Sequence, residues 1–287
     1  MKYPATELVL NAKGQVYHLG ISPDVLANTV ILVGDQDRVT MVSDLFDTVE
    51  HRSRHREFVC HTGMFNGKRI SAISTGIGTD NIDISVNELD ALANIDLIQR
   101  ENLPTFRQLT LIRIGTCGIL QEEVPIHSYI LSSHAFGLDN IAHFYEVPQT
   151  EVELSLKEAI ESQLTLPEAI HPYLIGASQE LNDRLRSELT FDGVTVSSSG
   201  FYGPQGRQLR LKAKTALLNE QLTDVKLEGL KVMNFEMESS ALFALGRSLG
   251  HQCATICLGI GNRPKLEFSK GYNEEMTALI RYVLDRI

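Results

Sequence analysis

The chain has 287 residues, 43% of them hydrophobic and 22% charged, with 26 Lys and Arg against 36 Asp and Glu for a formal net charge of −10. This is an ordinary globular composition with enough chain for a substantial core, and its acidity makes nucleic acid or an anionic membrane a poor general partner. Any anion the protein handles must be met by a local cluster of arginines.

Residues 30–33 read as a first strand closing on Gly34, with a helix over 38–47. Residues 57–75 hold two extended segments joined by Asn66-Gly67, a strong hairpin signal. The second of them, 69–74, runs into Gly76 and Gly78. A helix over 80–93 follows, in which Ile82, Val86, Leu89 and Leu92 recur at helical spacing. Strands are expected at 109–114, with Gly115 and Gly118 just beyond, and at 129–132, 194–197 and 253–259. Further helices are expected over 152–164, 177–189, 236–249 and 273–286. Strands alternating with helices give an α/β class whose mainly parallel or mixed sheet is covered on both faces. No repeat, low-complexity tract or Pro-rich linker divides the chain, so residues 1–287 read as one domain. No apolar run approaches the roughly 20 residues of a membrane helix. The N-terminal Met-Lys-Tyr-Pro-Ala-Thr-Glu lacks the order of a secretory signal, and a cytoplasmic location is expected. Cys60, Cys117, Cys253 and Cys257 are too scattered for a disulfide framework and read as buried thiols. The nine histidines form no compact ligand set, so no bound transition metal is expected.

Glycine loops at the carboxyl ends of strands are where open α/β sheets build ligand sites, because the backbone can come close to an anion there. Each such glycine can equally be a plain turn residue. Two of the loops here also carry arginine. In Gly34-Asp35-Gln36-Asp37-Arg38, a helix starting near Asp37 or Arg38 would aim free amides and a guanidinium at one point. Arg113 stands between Ile112 and Ile114, where burial is costly without an anion or a structural carboxylate beside it. Ser53-Arg54-His55-Arg56-Glu57-Phe58 adds a basic cluster that, alone, is a solvated edge. Glu236 and Glu238 lie in Val232-Met-Asn-Phe-Glu-Met-Glu-Ser-Ser240, otherwise apolar or small. Buried carboxylates need partners. They either complement a helix N-terminus or accept from a vicinal diol such as that of ribose.

Taken together, these segments resemble the nucleoside phosphorylase family. The likeness runs from Tyr17-His18-Leu19-Gly20 through Gly34-Asp35-Gln36-Asp37-Arg38, His55-Arg56-Glu57-Phe58, Ser74-Thr75-Gly76-Ile77-Gly78 and Arg113-Ile114-Gly115-Thr116. It ends with Phe201-Tyr202-Gly203-Pro204-Gln205-Gly206-Arg207, Asn234-Phe235-Glu236-Met237-Glu238-Ser239 and Asn262-Arg263. Each motif is weak, but their order and spacing together are specific. The resemblance implies a three-layer α-β-α sandwich with a central mixed, partly barrel-like sheet flanked by helices. It is nearest to the family's uridine-cleaving branch and implies reversible phosphorolysis of uridine, deoxyuridine or thymidine, with inorganic phosphate as co-substrate and no cofactor. By the same resemblance Gly34, Arg38, Arg113 and Thr116 hold phosphate. Arg56, and His18 near the ribose 5′-hydroxyl, come from a neighbouring subunit of a homodimer or a hexamer of dimers. Glu236, Met237 and Glu238 hold ribose, with Glu238 on the diol. Gln205 and Arg207 read the uracil edge, Phe201 packs on the ring and Arg263 lies on the pyrimidine side.

The chain departs from the family pattern at Gln36, where proline is usual, at Thr79-Asp80-Asn81, where proline and serine are usual, and at Cys117, usually Thr or Ser. A purine phosphorylase, a nucleoside hydrolase and a non-catalytic nucleoside-binding protein are the rival readings. The strand-end sequence Cys257-Leu258-Gly259-Ile260-Gly261-Asn262-Arg263 lacks the late Asp of purine enzymes, and a hydrolase or a sensor has no use for three converging arginines.

Overall fold

The computed structural model describes residues 2–287. Strand β1 (Thr29–Val33) leads into helix α1 (Gln36–Ser43), then the strands β2 (Thr48–His55), β3 (Phe58–Phe65) and β4 (Lys68–Ser74) and helix α2 (Thr79–Asn94). A two-stranded ribbon, β5 (Ile95–Asp96) and β6 (Glu101–Asn102), precedes the long strands β7 (Thr110–Ile119) and β8 (Tyr129–Gly137). Next come α3 (Glu151–Glu161), β9 (Tyr173–Gly176), α4 (Gln179–Leu185), β10 (Thr190–Ser197) and α5 (Leu218–Asp224). The chain ends with β11 (Val232–Glu236), α6 (Ser239–Ser248), β12 (Gln252–Asn262), β13 (Glu267–Phe268) and α7 (Asn273–Leu284). The turn at Asn66 and Gly67, both left-handed, joins β3 and β4 as their dipeptide signal requires.

β1 pairs in parallel with β4 on one side and β7 on the other, so both its faces must be covered. Its side chains alternate between two cores. Val30 and Leu32 join the cluster built with α2 and α6, while Ile31 and Val33 join the one built with α1, α4 and α7. Leu111 against Ile112, and Cys253 against Ala254, repeat the alternation on β7 and β12. That is the three-layer arrangement. Beyond β7 the sheet curls into a ring: β7 pairs β12, β12 pairs β8, β8 pairs β10, β10 pairs β11, and β11 returns to β7. Parallel and antiparallel pairs mix in this ring, and its strands share a small cluster of Cys117, Ile119, Ile130, Met233 and Cys257. No helix among the described residues is long and apolar enough to cross a membrane.

Several boundaries differ from the sequence expectation. The strands expected at 109–114 and 129–132 run on to Ile119 and Gly137, because β12 pairs with β7, and β10 with β8, along the whole of that length. Gly115 and Gly118 therefore lie within β7 and do not start a loop. Helix α1 begins at Gln36, two residues earlier than expected, because Asp35 caps it by accepting the Asp37 N–H, and it ends at Ser43. Residues 232–236 form β11, so Glu236 ends a strand and α6 starts only at Ser239. The helix expected over 177–189 stops at Leu185, where Arg186 turns extended ahead of β10.

One carboxylate ties three elements beside this frame. Glu153 closes the capping box of α3 with Thr150, accepts the Gly176 N–H of β9 (2.6 Å) and pairs with Arg247 of α6 (2.6 Å). Burial works to raise the Glu153 pKa, but Arg247 and the amides outweigh it and hold the carboxyl below its ordinary 4.5. A depressed carboxyl stabilises the fold above the unfolded value and loses that contribution as pH falls through the folded one. Glu153→Ala is therefore expected to cost about 2 kcal/mol in urea unfolding at pH 7, from the charge-assisted bonds and the cap. The gap from wild type should narrow as pH falls below about 4.5, and a gap constant with pH would refute the ionic origin.

Candidate active site

The carboxyl ends of β1, β4, β10, β11 and β12 converge on one cleft, with the middle of β7 as its floor. The cleft has a volume of about 1150 Å³. Among the residues expected at a site, Gly34, Arg38, Arg113, Thr116, Phe201, Gln205, Arg207, Glu236, Met237, Glu238 and Arg263 line it. His18 and Arg56 do not.

Arg113 defines the centre. It is 4% exposed, between Ile112 and Ile114, which have no exposure at all. Its guanidinium bends back over Gly115, where a Cβ would come within 1.9 Å of Nη1. That glycine is needed for the volume of the arginine, not for a turn. Nη2 donates to Glu238 Oε2, Nη1 lies 3.6 Å from Glu236 Oε2, and Nη1 also donates to Cys257 Sγ (3.7 Å). Burial opposes the arginine charge, but Glu238 and Glu236 more than restore it, and the Arg113 pKa is raised. Burial raises the Glu238 pKa, Arg113 counters this, and Glu236 adds to the rise. The structural carboxylate that burial of Arg113 demands is thus supplied twice by the β11–α6 junction.

At one end of the cleft lie Gly34, Arg38 in the first turn of α1, and Thr116. Arg38 is 7% exposed, and its Nη1 donates to the Ile114 carbonyl (3.4 Å). Burial, and then the charge of Arg113, lower the Arg38 pKa. Two guanidiniums so placed are stabilised by an anion between them. The extra carboxylate of Asp80 is exposed and outside the cleft lining, so it does not oppose that anion.

At the other end, Arg207 Nη1 donates to Gln205 Oε1 and to the Phe201 carbonyl (2.6 Å), and its guanidinium lies 3.7 Å from the centre of the Phe201 ring. Arg263 Nη2 donates to the Gln205 carbonyl (3.1 Å), while its buried Nη1 has no partner among the described residues. Burial and the Arg263 charge lower the Arg207 pKa. Here too the positive charge is under-compensated.

The two remaining expected residues sit together on the surface. Arg56, exposed and left-handed (φ 55°), donates to the Tyr17 hydroxyl (3.2 Å). His18 Nδ1 meets Glu88 Oε1 at 2.7 Å, and because a carboxylate only accepts, that nitrogen carries the proton. Sequence reasoning missed three supporting groups. Gly78, at φ 97°, donates its N–H to Glu238 Oε1 (2.8 Å); Cys257 lies beside Arg113; Ser197 donates to Glu236 Oε1. Only Gly78 had a signal, its place in a glycine loop.

The chain is 30% identical to the uridine phosphorylase of Thermococcus kodakarensis over 96% of its own length and 87% of that protein's. It is 28% identical to the uridine phosphorylase of Escherichia coli over 93% of each chain. Among solved structures it is similar to a Trypanosoma brucei nucleoside phosphorylase described as showing uridine phosphorylase activity, with a TM-score of 0.89, 27% identity, and coverage of 98% of this chain and 99% of that one. The model of the phosphorylase superfamily matches residues 28–285, from just before β1 to the end of α7, and the chain belongs to that superfamily.

Proposed function

We propose that this protein is a uridine phosphorylase, converting uridine and phosphate reversibly to uracil and ribose 1-phosphate. The observation that carries the reading is that one buried ion pair, Arg113 with Glu238, joins an arginine-lined anion end to an arginine- and glutamine-lined base end. A sugar bridging the two ends lies over that pair, with phosphate on one side of its C1′ and the base on the other. The relatives named above, two uridine phosphorylases and a nucleoside phosphorylase described as showing uridine phosphorylase activity, support the same substrate.

In this reading the Gly34 amide, Arg38, Arg113 and Thr116 hold phosphate, and Glu238 and Met237 hold ribose. Phe201 packs on uracil while Gln205 and Arg207 meet its amide-like edge, with Arg263 beside them. A phosphate oxygen bonds to C1′ as the C1′–N1 bond breaks, and the bonding electron pair leaves with the pyrimidine. Arg207, a cation already short of negative partners, stabilises the charge that develops there. The rest of the acceleration comes from holding phosphate and sugar in line. No covalent nucleophile or cofactor is called for. Asn262, at the strand end where purine enzymes carry Asp, spends its amide on the Gln121 and Val124 carbonyls (3.0 and 2.8 Å), which favours a pyrimidine.

We further propose that a second copy supplies Arg56 and His18, making the working unit a homodimer or a hexamer built from dimers. A light-scattering mass of two or six times 31.9 kDa is expected, and an active monomer would overturn this. The four free, buried thiols suit the reducing cytoplasm.

Purified protein with uridine and phosphate should release uracil and ribose 1-phosphate, with no turnover when phosphate is omitted. Release without phosphate would mean a hydrolase, and preference for inosine a purine enzyme. Arg113→Ala should lose about 10³-fold in kcat/KM and about 3 kcal/mol of stability, since two buried carboxylates lose their cation. Arg207→Ala, at a half-buried position, should lower kcat about 100-fold at unchanged KM for phosphate; a shift in phosphate KM instead would move Arg207 to the other half of the site.

A further inference from the structure

Glu236 and Glu238 both border the cleft, but their hydrogen-bond inventories differ. An ionised carboxylate offers about four acceptor positions. On Glu236, Oε1 accepts from the Ser197 hydroxyl and the Ser239 N–H (3.1 Å), and Oε2 from the N–H groups of Glu238 (2.9 Å) and Ser239 (3.0 Å). The Ser239 N–H is shared between the two oxygens, so three donors and the nearby Arg113 Nη1 (3.6 Å from Oε2) surround a side chain that is 1% exposed, and each oxygen carries two hydrogen-bond contacts. On Glu238, Oε2 accepts from Arg113 and from the Met237 N–H (3.1 Å), whereas Oε1 has only the Gly78 N–H. Among the described residues Glu238 Oε1 is thus the least occupied carboxylate oxygen of the pair, and both Glu236 oxygens are engaged by the main chain around them.

What Glu236 holds is the backbone that carries Glu238. The amides it accepts are those at the start of α6, which otherwise have no intrahelical partner. Ser197 in turn fixes Glu236. The two residues are parallel neighbours in the β10–β11 register, and neither residue's position can slip without moving a strand. The Ser197 Oγ already accepts the Ser240 N–H (3.0 Å), and its single proton goes to Glu236. Ser240 is anchored from behind, because its own hydroxyl donates to Asp139 Oδ2 (2.5 Å), which also accepts from the Tyr173 hydroxyl (2.9 Å). Ser197, Ser240 and Asp139 all have 6% exposure or less.

We infer that Ser197 and Glu236 are positioning residues for the sugar subsite: Ser197 orients Glu236, and Glu236 sets the main chain that places Glu238 against the ribose hydroxyls, without itself touching the sugar. The inference rests on the proposed phosphorolysis of a ribonucleoside. A misplaced Glu238 would lose its grip on the diol while the phosphate residues on β1, α1 and β7 stay where they are.

The test compares wild type with Ser197→Ala, on uridine and 2′-deoxyuridine, at varied nucleoside and varied phosphate. Ser197→Ala is expected to lower kcat/KM for uridine about 10- to 100-fold, the worth of one hydrogen bond to a charged group. The loss should appear mainly in the nucleoside KM, with the phosphate KM little changed. The preference for uridine over 2′-deoxyuridine should shrink, a ratio that does not depend on how much of the variant is folded. Ser197→Thr, which keeps the hydroxyl, should restore the ratio if it folds. An unchanged ratio in Ser197→Ala, or equal losses on both nucleosides with a lower Tm, would overturn the inference and leave Ser197 a packing residue. A wild type that makes no uracil would sink the functional reading separately. The crystal structure of Ser197→Ala then decides the positioning claim without any assay: the Glu238 carboxylate should move on the order of 0.5–1 Å, and an unmoved Glu238 refutes it.

Discussion

Everything at this site follows from placing a guanidinium inside the sheet. Taking Arg113 out of water costs several kcal/mol unless the geometry around it is nearly ideal. The fold meets that demand with a strand, β11, whose last residue is Glu236, and a helix whose N-cap residue is Glu238. The two carboxylates exceed the one cation, and Arg38, held beside β7 through the Ile114 carbonyl, brings the local count to two and two. The cluster is neutral overall yet unevenly spread, with both carboxylates on the β11–α6 side and Arg38 on the β1–α1 side. That polarity directs an anion to one half of the cleft and hydroxyl donors to the other.

The ring closure of the sheet is what brings these charges together. β1 and β7 are central parallel strands, while β10 and β11 come late in the chain and would lie far away in an open sheet. Pairing β12 with β7 along the whole of β7, and β11 with β7 at Gly118 and Ile119, folds the late strands back beside the early ones. Gly78 and Glu238 are 160 residues apart and yet share a hydrogen bond. The N-terminus of α2, which points at the cleft through that bond, adds its own partial positive charge to the Glu238 side.

Periodicity carried most of the fold, because buried parallel strands and amphipathic helices leave plain patterns. The apolar run of β1 and the spacing of Ile82, Val86, Leu89 and Leu92 on α2 are of that kind. It failed where a residue served a distant partner. Gly115 and Gly118 look like a loop, but both lie within β7, and the first makes room for a folded-back arginine that a Cβ would meet at 1.9 Å. Arg113, Glu236 and Glu238 stood out because charged groups in apolar surroundings are costly and so conspicuous, whereas His18, Phe201, Gln205, Arg207 and Met237 were expected only from the family resemblance. Ser197 did not stand out: one serine at the end of a strand has no local cost, and its importance depends on which strand lies next to it.

Gln36 shows how a departure from the family pattern can be accommodated by contacts that the usual residue cannot make. Proline would pre-set the backbone at the first position of α1, with nothing to donate. The Gln36 carboxamide instead donates to the Arg56 carbonyl (2.9 Å) and accepts from Arg54 Nη2 (2.6 Å). It thereby fastens the start of α1 to the turn between β2 and β3. That turn needs fastening, since Arg56 is held left-handed, a conformation that costs a side-chain-bearing residue roughly 1–2 kcal/mol. Rigidity that proline would give to one loop is here shared between two, and the glycine loop below Arg38 and the arginine at the surface are tied to each other through a single side chain.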